Sequence, residues 1–162
     1  MITLIVAIDQ DRVIGYKGKI PWHLKDDLRH FREKTLGKTV IMGQTTYESL
    51  KGPLPERINI VGSFEEDYQA RHPKIQVVRD LEPFLIKCSK ENKEYMVIGG
   101  ASVYKLALPY ASKIILSLVE GKHKGDTYFP EFEADFKLMA SEQKEGFVVK
   151  YYVRRQTNVE VL

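Results

Sequence analysis

The sequence predicts a single α/β domain in which a mostly parallel central sheet of about eight strands is flanked by about four helices. Short apolar runs rich in isoleucine and valine alternate with segments of helical periodicity, which is typical of a parallel sheet covered on both faces. The last two apolar runs have no helix between them, so the sheet is expected to end in an antiparallel C-terminal strand. No repeat, linker or low-complexity tract interrupts residues 1–162, so we expect one domain.

The first third of the chain gives a strand, a long loop and a helix. Ile2–Ile8 is a continuous apolar run, predicted to be a central strand. Residues 9–19 form a polar loop of a length at which loops tend to be functional lids. A helix follows Pro21 and is predicted to run to about Lys34, with Gly37 as its C-terminal stop.

The later elements repeat this alternation. Thr45 and Thr46 are predicted N-caps of a short helix over residues 44–50. Residues 64–73 are read as a polar connection. Further strands are predicted at residues 39–43, 57–62, 75–78, 94–98, 113–120, 136–140 and 147–155, and further helices at about 80–90 and 101–108.

Composition and charge exclude several classes of protein. Hydrophobic residues make up 43% and charged residues 29%, as in an ordinary globular protein. A net charge of +3 without a lysine and arginine cluster argues against a nucleic-acid partner. No apolar run approaches the ~20 residues of a membrane span, and no basic leader precedes the first strand. We expect a cytoplasmic monomer without a membrane partner.

Cysteine and histidine give no metal or disulfide signal. Cys88 has no partner for a disulfide, and we expect it to be buried in a helix. His23, His30, His72 and His123 are scattered without metal-ligand spacing, and surface or loop positions are predicted for them.

One carboxylate breaks an apolar helical stripe. Leu24, Asp27, Leu28 and Phe31 share one face of the predicted helix, while Asp26 lies on the opposite face. One explanation needs no function, because the helix dipole stabilises an acidic residue in the first turn by about 0.3–1 kcal/mol. Burial, however, can raise the pKa of a carboxyl group by up to roughly 3–5. An inward Asp27 therefore needs a polar partner or a ligand.

Three predicted strands end in small or hydroxyl residues, at Gly43, at Gly62-Ser63 and at Gly99-Gly100. Ligands of open α/β sheets bind beyond the carboxyl ends of strands, and glycine lets a phosphate approach the backbone. The stretches lack the Gly-x-Gly-x-x-Gly and lysine phosphate-loop motifs, and close helix–strand packing explains the glycines equally well. The residues themselves favour proton transfer next to a nucleotide.

A series of short motifs runs through nearly the whole chain. They lie at residues 2–7, 12–15, 21–22, 27, 41–43, 46–49, 53–55, 57, 97–100, 103–104 and 125–130. In this order and spacing they resemble the dihydrofolate reductase family. The resemblance implies reduction of 7,8-dihydrofolate to 5,6,7,8-tetrahydrofolate by hydride transfer from NADPH, a reaction that supplies one-carbon metabolism.

The resemblance gives Asp27 a catalytic role: it binds the 2-amino group and N3 of the pterin and supports protonation of N5. Ser117 matches a hydroxyl residue that hydrogen-bonds this carboxylate, and Trp22 would hold an ordered water near it. Arg57 matches the arginine that grips the α-carboxylate of the substrate, although the residues alone favour a solvated arginine. The apolar substrate-binding residues implied are Ile5, Ala7, Leu28, Phe31, Leu50, Leu54 and Ile98, each of which could instead be plain core.

The implied cofactor site lies along the strand ends. Residues 9–22 match the mobile lid over the nicotinamide, and Asp126 matches a residue that steadies the lid. The cofactor-binding residues implied are Ala7, Ile14, Gly15, Ile20, Gly43, Gln44, Thr45, Thr46, Ser63, Ile98, Gly99, Gly100, Ala101, Ser102, Val103 and Tyr104.

The chain departs from the family where the 2′-phosphate of NADPH is usually bound. Gln44, Thr45 and Ser102 stand where many relatives have basic residues, and residues 62–66 contain no base. Each lost charge-assisted hydrogen bond, at about 1.5–3 kcal/mol, lowers the preference roughly tenfold to over a hundredfold. We therefore predict a weaker preference for NADPH over NADH, with Thr45 and Ser63 as neutral donors.

Two alternatives stay open on the sequence. The reductase of riboflavin synthesis shares the fold but should lack Arg57 and the constellation of Pro21, Trp22 and Asp27. A non-catalytic nucleotide-binding module would have lost the chemistry, and the presence of both Asp27 and Ser117 counts against it.

Overall fold

A computed structural model describes residues 1–69 and 72–156. Residues 70 and 71, in the predicted connection 64–73, and residues 157–162, at the end of the predicted domain, lie outside the described residues. The strands are β1 (Ile2–Ile8), β2 (Val13–Gly15), β3 (Thr39–Gly43), β4 (Ile58–Gly62), β5 (Ile75–Val78), β6 (Tyr95–Gly99), β7 (Lys113–Val119), β8 (Thr127–Tyr128), β9 (Phe136–Gln143) and β10 (Phe147–Arg154). The helices are α1 (Lys25–Thr35), α2 (Gln44–Ser49), α3 (Leu81–Ser89) and α4 (Ala101–Ala107), followed by a 3₁₀ turn at Leu108–Tyr110.

Eight strands form one mixed sheet in the order β5-β4-β3-β6-β1-β7-β10-β9. Every neighbouring pair from β5 to β7 is parallel, and β10 runs antiparallel to both β7 and β9. The remaining strands, β2 and β8, pair antiparallel in a small separate sheet. The predicted fold class is confirmed, because the antiparallel strand lies at the C-terminal end of an otherwise parallel sheet.

Apolar side chains cover both faces of the sheet. On one face, Leu81, Leu85 and Ala107 of α3 and α4 pack against buried strand residues. On the other face, Tyr47 of α2 packs on a second cluster of strand residues. Strands buried on both sides explain why the sequence shows continuous apolar runs rather than alternation. Cys88 is buried in α3, which confirms its predicted place.

Several local predictions are wrong. The N-cap of α2 is Gly43, so Thr45 and Thr46 lie inside the helix rather than capping it. Leu28 was predicted to face the interior, but its side chain is 52% exposed. His30 was predicted at the surface, but it is only 6% exposed. The face of α1 that carries Asp27 borders an open cleft, and the fully buried residues of the helix are His30 and Thr35.

The loop between β1 and α1 is held at both of its ends. The buried carboxylate of Asp9 accepts hydrogen bonds from the backbone N–H groups of Asp11, Val13 and His123, at 2.9, 3.0 and 2.8 Å. The carboxylate of Asp126 accepts one from the N–H of Lys17 at 2.9 Å. The loop is thus tied to the segment that precedes β8. In residues 1–69 and 72–156, no helix is long and apolar enough to cross a membrane.

Candidate active site

A cleft of about 820 Å³ opens at the carboxyl ends of the parallel strands, between α1 on one side and α2 and α4 on the other. Its size falls in the range of small-molecule and cofactor sites. The sheet register aligns the strand ends here, because Gly43 pairs with Gly62 and Met42 pairs with Gly99. All of the site residues predicted from the sequence line this cleft, except Trp22 and Arg57.

Asp27 lies in the first turn of α1 and is half-buried at the edge of the cleft. Burial raises the pKa of its carboxyl group, and a hydrogen bond from Ser117 lowers the pKa in part. Ser117 is 3% exposed and is held in β7 opposite Ala7 of β1. By contrast, Asp26 is exposed and lies 3.8 Å from Arg29. The helix therefore separates a desolvated carboxylate from a solvated one.

The carboxylate of Asp27 is close enough to influence a second buried group. Burial and the charge of Asp27 both raise the pKa of Tyr104 far above its ordinary value. The hydroxyl of Tyr104 donates a hydrogen bond to the carbonyl of Ile5 at 2.7 Å. Tyr104 therefore stays neutral and ties α4 to the central strand β1 behind the cleft.

The apolar wall of the cleft belongs partly to the core. Phe31, Leu50, Leu54 and Ile98 pack against the cluster beneath α2 yet also line the cleft. Leu28 lines the cleft with an exposed side chain, so about half of its surface has no cover from the protein. Such a wall suits a flat, largely apolar ring system with a few polar edges.

Glycines bring the strand ends and α4 into close contact and leave bare backbone at the cleft. A Cβ atom at Gly43 would lie 3.0 Å from Cγ2 of Val103, and one at Gly99 would lie 3.3 Å from the ring of Tyr104. At Gly100, a Cβ atom would lie 3.4 Å from Oγ1 of Thr46. These glycines therefore serve both purposes named above: they allow close helix–strand packing, and they leave backbone that a ligand can approach. Bare backbone flanked by hydroxyl groups suits the phosphates of a dinucleotide.

At the end of the cleft formed by Gln44 and Ser63, the uncharged hydrogen-bond donors already have partners within the protein. Oγ of Ser63 donates to Oε1 of Gln44 at 2.7 Å, and Nε2 of Gln44 donates to Glu48 at 3.1 Å. A cation that the sequence did not suggest lies nearby: Arg79 borders a smaller cavity that shares Ser63 and Glu65 with the cleft. Arg79 donates to the carbonyl of Glu65 at 2.7 Å. Its place was hidden because it comes from the neighbouring strand connection rather than from residues 62–66.

Trp22 and Arg57 lie outside the residues that line the cleft. Trp22 packs edge-to-face on His123 with 4.9 Å between ring centres, and its buried Nε1 has no partner among the described residues. The guanidinium of Arg57 donates to Oγ1 of Thr35 at 3.0 Å and to the carbonyl of Pro55 at 2.9 Å. Both side chains are thus positioned by neighbours next to the cleft rather than in its wall.

Sequence reasoning missed part of the lining. His30 gave the clearest signal, because it follows Asp27 by one helical turn and such residues share a side of the helix. The other missed residues are Val6, Ser49, Phe64, Glu65 and Thr127, whereas Gly62 had been placed at a strand end and Gly18 and Lys19 in the predicted lid. Among the residues that the structure describes, no group of three or more histidine, cysteine, aspartate or glutamate side chains could hold a metal ion.

Known proteins resemble this chain in sequence and in fold. A family model described as dihydrofolate reductase matches residues 1–156. The dihydrofolate reductase of Bacillus subtilis is 41% identical over 144 residues, which cover 88% of this chain and 84% of that protein. The dihydrofolate reductase type 3 of Salmonella typhimurium is 41% identical over 82% of this chain and 80% of its own length.

A solved structure resembles the whole fold. Dihydrofolate reductase from Enterococcus faecalis, complexed with NADP(H) and RAB-propyl, superposes with a TM-score of 0.84 at 32% identity. The match covers 96% of this chain and 97% of that one.

Proposed function

Because this chain belongs to the dihydrofolate reductase family, we propose that its cleft holds the pterin of dihydrofolate at Asp27 and NADPH along the glycine-rich strand ends. The protein is an NADPH-dependent enzyme that reduces 7,8-dihydrofolate to 5,6,7,8-tetrahydrofolate. The observation that supports the residue assignment best is the half-buried Asp27, whose raised pKa and Ser117 partner mark it out in the cleft.

We assign the proton-handling role to Asp27. A carboxylate offers two acceptor oxygens to an amino group and a ring N–H that lie side by side, as in the 2-amino-pyrimidine edge of a pterin. Its raised pKa brings the carboxyl group nearer to working pH, which suits support of proton transfer to N5. Ser117 donates to the same carboxylate and so fixes its orientation.

The cofactor site is assigned to the strand ends and α4. NADPH, when bound, supplies the hydride that passes to C6 of the pterin. Gly43, Gly99 and Gly100 offer bare backbone, and Thr46 and Ser102 offer hydroxyl donors at the same edge of the cleft. These groups fit a pyrophosphate, which needs close approach and several donors.

The loop between β1 and α1 is assigned as a lid. Gly15, Lys19 and Ile20 of this loop line the cleft, and Lys17 is tied to Asp126. A lid that covers the reacting atoms excludes water, which strengthens every electrostatic interaction at the pterin edge.

Arg57 is assigned to the carboxylate end of the substrate. Among the described residues its guanidinium forms no ion pair, and Thr35 and Pro55 hold it in place with neutral acceptors. A half-buried, oriented guanidinium without a counter-ion suits bidentate binding of a carboxylate at the rim.

A direct assay tests this function. The protein is mixed with NADPH and dihydrofolate, and the loss of reduced-nicotinamide absorbance is followed. Turnover supports the proposal, whereas demonstrable cofactor binding without turnover would leave a non-catalytic binding module. We also propose a cytoplasmic monomer, and light scattering at assay concentration should return the mass of one chain.

A further inference from the structure

An aromatic ring stands open to the cleft just beyond the end of β4. Phe64 is 78% exposed, more than any other large apolar side chain among the described residues. It lines both the cleft and the smaller cavity that Arg79 borders. Single exposed apolar residues are ordinary on a protein surface. This one differs because its open face belongs to the wall of a ligand cleft.

The backbone on both sides of Phe64 is held in place. The N–H of Ser63 donates to the carbonyl of Val78 at 3.0 Å, and the N–H of Glu65 donates to Oγ of Ser63 at 3.1 Å. The guanidinium of Arg79 donates to the carbonyl of Glu65 at 2.7 Å. An exposed ring on a fixed backbone is preorganised, so a ligand that binds it loses little free energy to ordering the protein.

The order of the strands decides which part of a dinucleotide reaches this ring. Asp27 and Ser117 lie beside β1 and β7, and the glycine-rich ends of β6 and β3 come next, followed by β4. A dinucleotide carries its two ring systems on opposite sides of its pyrophosphate. With the nicotinamide beside the pterin and the pyrophosphate at the glycines, the adenine lies at the end of β4, where Phe64 stands.

The charges at this end of the cleft favour a neutral ring over an anion. The guanidinium of Arg79 donates to the carbonyls of Glu65 and Tyr68, so its donors are committed in part to the backbone. The carboxylates of Glu65 and Glu66 border the same small cavity. An aromatic face, by contrast, binds a base through stacking, which needs no charge.

We propose that Phe64 is a cofactor-binding residue whose ring stacks on the adenine of NADPH. This inference rests on the proposed function, which places the cofactor along the strand ends. NADPH and NADH carry the same adenine, so the stacking contact contributes to the affinity for both and does not discriminate between them. Phe64 thus holds the adenosine half of the cofactor at the place where the basic residues are absent.

Cofactor titrations of Phe64→Ser test the proposal. We expect the dissociation constants of NADPH and NADH, measured by calorimetry, to rise by the same factor of roughly fivefold to fiftyfold. Hydride transfer at saturating cofactor should keep its wild-type rate. Reduced nicotinamide mononucleotide, which lacks the adenosine half, should react equally fast with variant and wild type.

Two further variants serve as controls. Phe64→Tyr keeps the aromatic face, so its dissociation constants should match those of wild type. Met139→Ser removes another exposed apolar side chain, in β9 and outside the cleft lining, and should also leave them unchanged.

Three results would overturn the proposal. Unchanged dissociation constants in Phe64→Ser would show that the ring does not touch the cofactor. A loss confined to NADPH would place the contact at the 2′-phosphate instead of the adenine. A loss of rate that is equally large with reduced nicotinamide mononucleotide would reveal a change in the cleft as a whole.

A measurement on the wild-type protein keeps the test independent of how the variants fold. In the complex with NADP⁺, NMR should show nuclear Overhauser contacts between the ring protons of Phe64 and those of the adenine, and their absence would contradict the proposal. Failure of the proposed function would appear differently, as absent turnover of dihydrofolate or as normal turnover in Asp27→Asn.

Discussion

At the scale of single residues, the chemistry depends on which side of α1 a carboxylate occupies. Asp26 and Asp27 are neighbours in sequence, but Asp26 lies in solvent beside Arg29 and Asp27 lies in the cleft beside Ser117. The desolvation that raises the pKa of Asp27 also disfavours its charged form, so the folded protein carries this carboxylate at a cost that the ligand offsets.

Asp27→Asn should therefore separate activity from stability. We expect turnover at neutral pH to fall by roughly 10²- to 10⁴-fold, because the amide cannot take part in proton transfer, with partial recovery at low pH. The pKa of Asp27 is higher in the folded protein than in the unfolded chain. Its penalty on stability is therefore absent well below the pKa of the unfolded chain, and it appears as pH rises through the pKa of the folded protein. Urea unfolding at pH 7 should find Asp27→Asn at least as stable as wild type.

Asp26→Asn is the matched control for this experiment. Its carboxylate is exposed on the opposite face of α1, so turnover should stay close to wild type. Similar losses from both substitutions would show that the helix-face argument is wrong.

Gln44 provides a second test at this scale. Its side chain accepts from Ser63 and donates to Glu48, and neither contact brings a positive charge to the cleft. We expect wild type to use NADH at a measurable rate and Gln44→Arg to increase the preference for NADPH roughly tenfold or more. Gln44→Leu, which removes the contact with Ser63 without adding charge, is the control. The preference is measured as the ratio of the kcat/KM values for NADPH and NADH. A strong preference for NADPH in the wild-type enzyme would contradict the predicted weakening.

At the scale of elements, the loop between β1 and α1 depends on the segment that leads into β8. The pairing of β2 with β8, the carboxylate of Asp9 and the carboxylate of Asp126 all join these two segments. Asp126 accepts both the N–H of Lys17 and the hydroxyl of Thr127, and these bonds lower the pKa of Asp126. The lid is therefore anchored by polar contacts at its rim as well as by apolar packing of Val13 and Ile14.

Asp126→Ala should loosen the lid without changing the fold. We expect the hydride-transfer rate in single-turnover experiments to fall roughly threefold to tenfold, because the closed lid loses one of its anchors. Glu120→Gln, which changes an exposed carboxylate on the same connection, should leave this rate unchanged. An equal effect of both substitutions would point to a general effect of charge.

At the scale of the whole molecule, one buried carboxylate joins distant parts of the chain. Burial acts to raise the pKa of Asp9, but hydrogen bonds from the N–H groups of Val13, His123 and Asp11 lower it more, so the net shift is downward. Asp9 therefore stays charged in the folded protein and ties the end of β1 to the segment that follows β7.

Asp9→Asn should lower the free energy of unfolding at pH 7 by about 1–3 kcal/mol, because one of the N–H groups then faces an amide donor. The folded pKa is depressed, so the contribution of Asp9 is present above the unfolded value, near 3.8, and is lost as pH falls through the folded value. Urea unfolding should thus show a constant gap between wild type and variant above about pH 5 and a narrower gap near pH 3. Asp11→Asn, which changes an exposed neighbour, should show no such gap. A gap between wild type and Asp9→Asn that is the same at pH 3 and at pH 7 would contradict the role assigned to the Asp9 carboxylate.

The sequence by itself determined the class of fold and the place of the chemistry. Continuous apolar runs such as Ile2–Ile8 predicted strands covered on both faces, and helical spacing alone separated Asp27 from Asp26. These features are local, because they depend on the period of side chains along one element.

Only the tertiary structure decided what each side chain meets across the cleft. It showed that Leu28 is open to the cleft, that His30 is buried with a free nitrogen, and that Arg79 approaches Ser63 from another strand connection. The spacing of residues within an element cannot reveal such contacts, because they depend on strand order and on how helices lie over the sheet. Burial and partners are properties of the assembled fold, and they bring the carboxylate and the imidazole of α1 and the hydroxyl of β7 into the lining of one cleft.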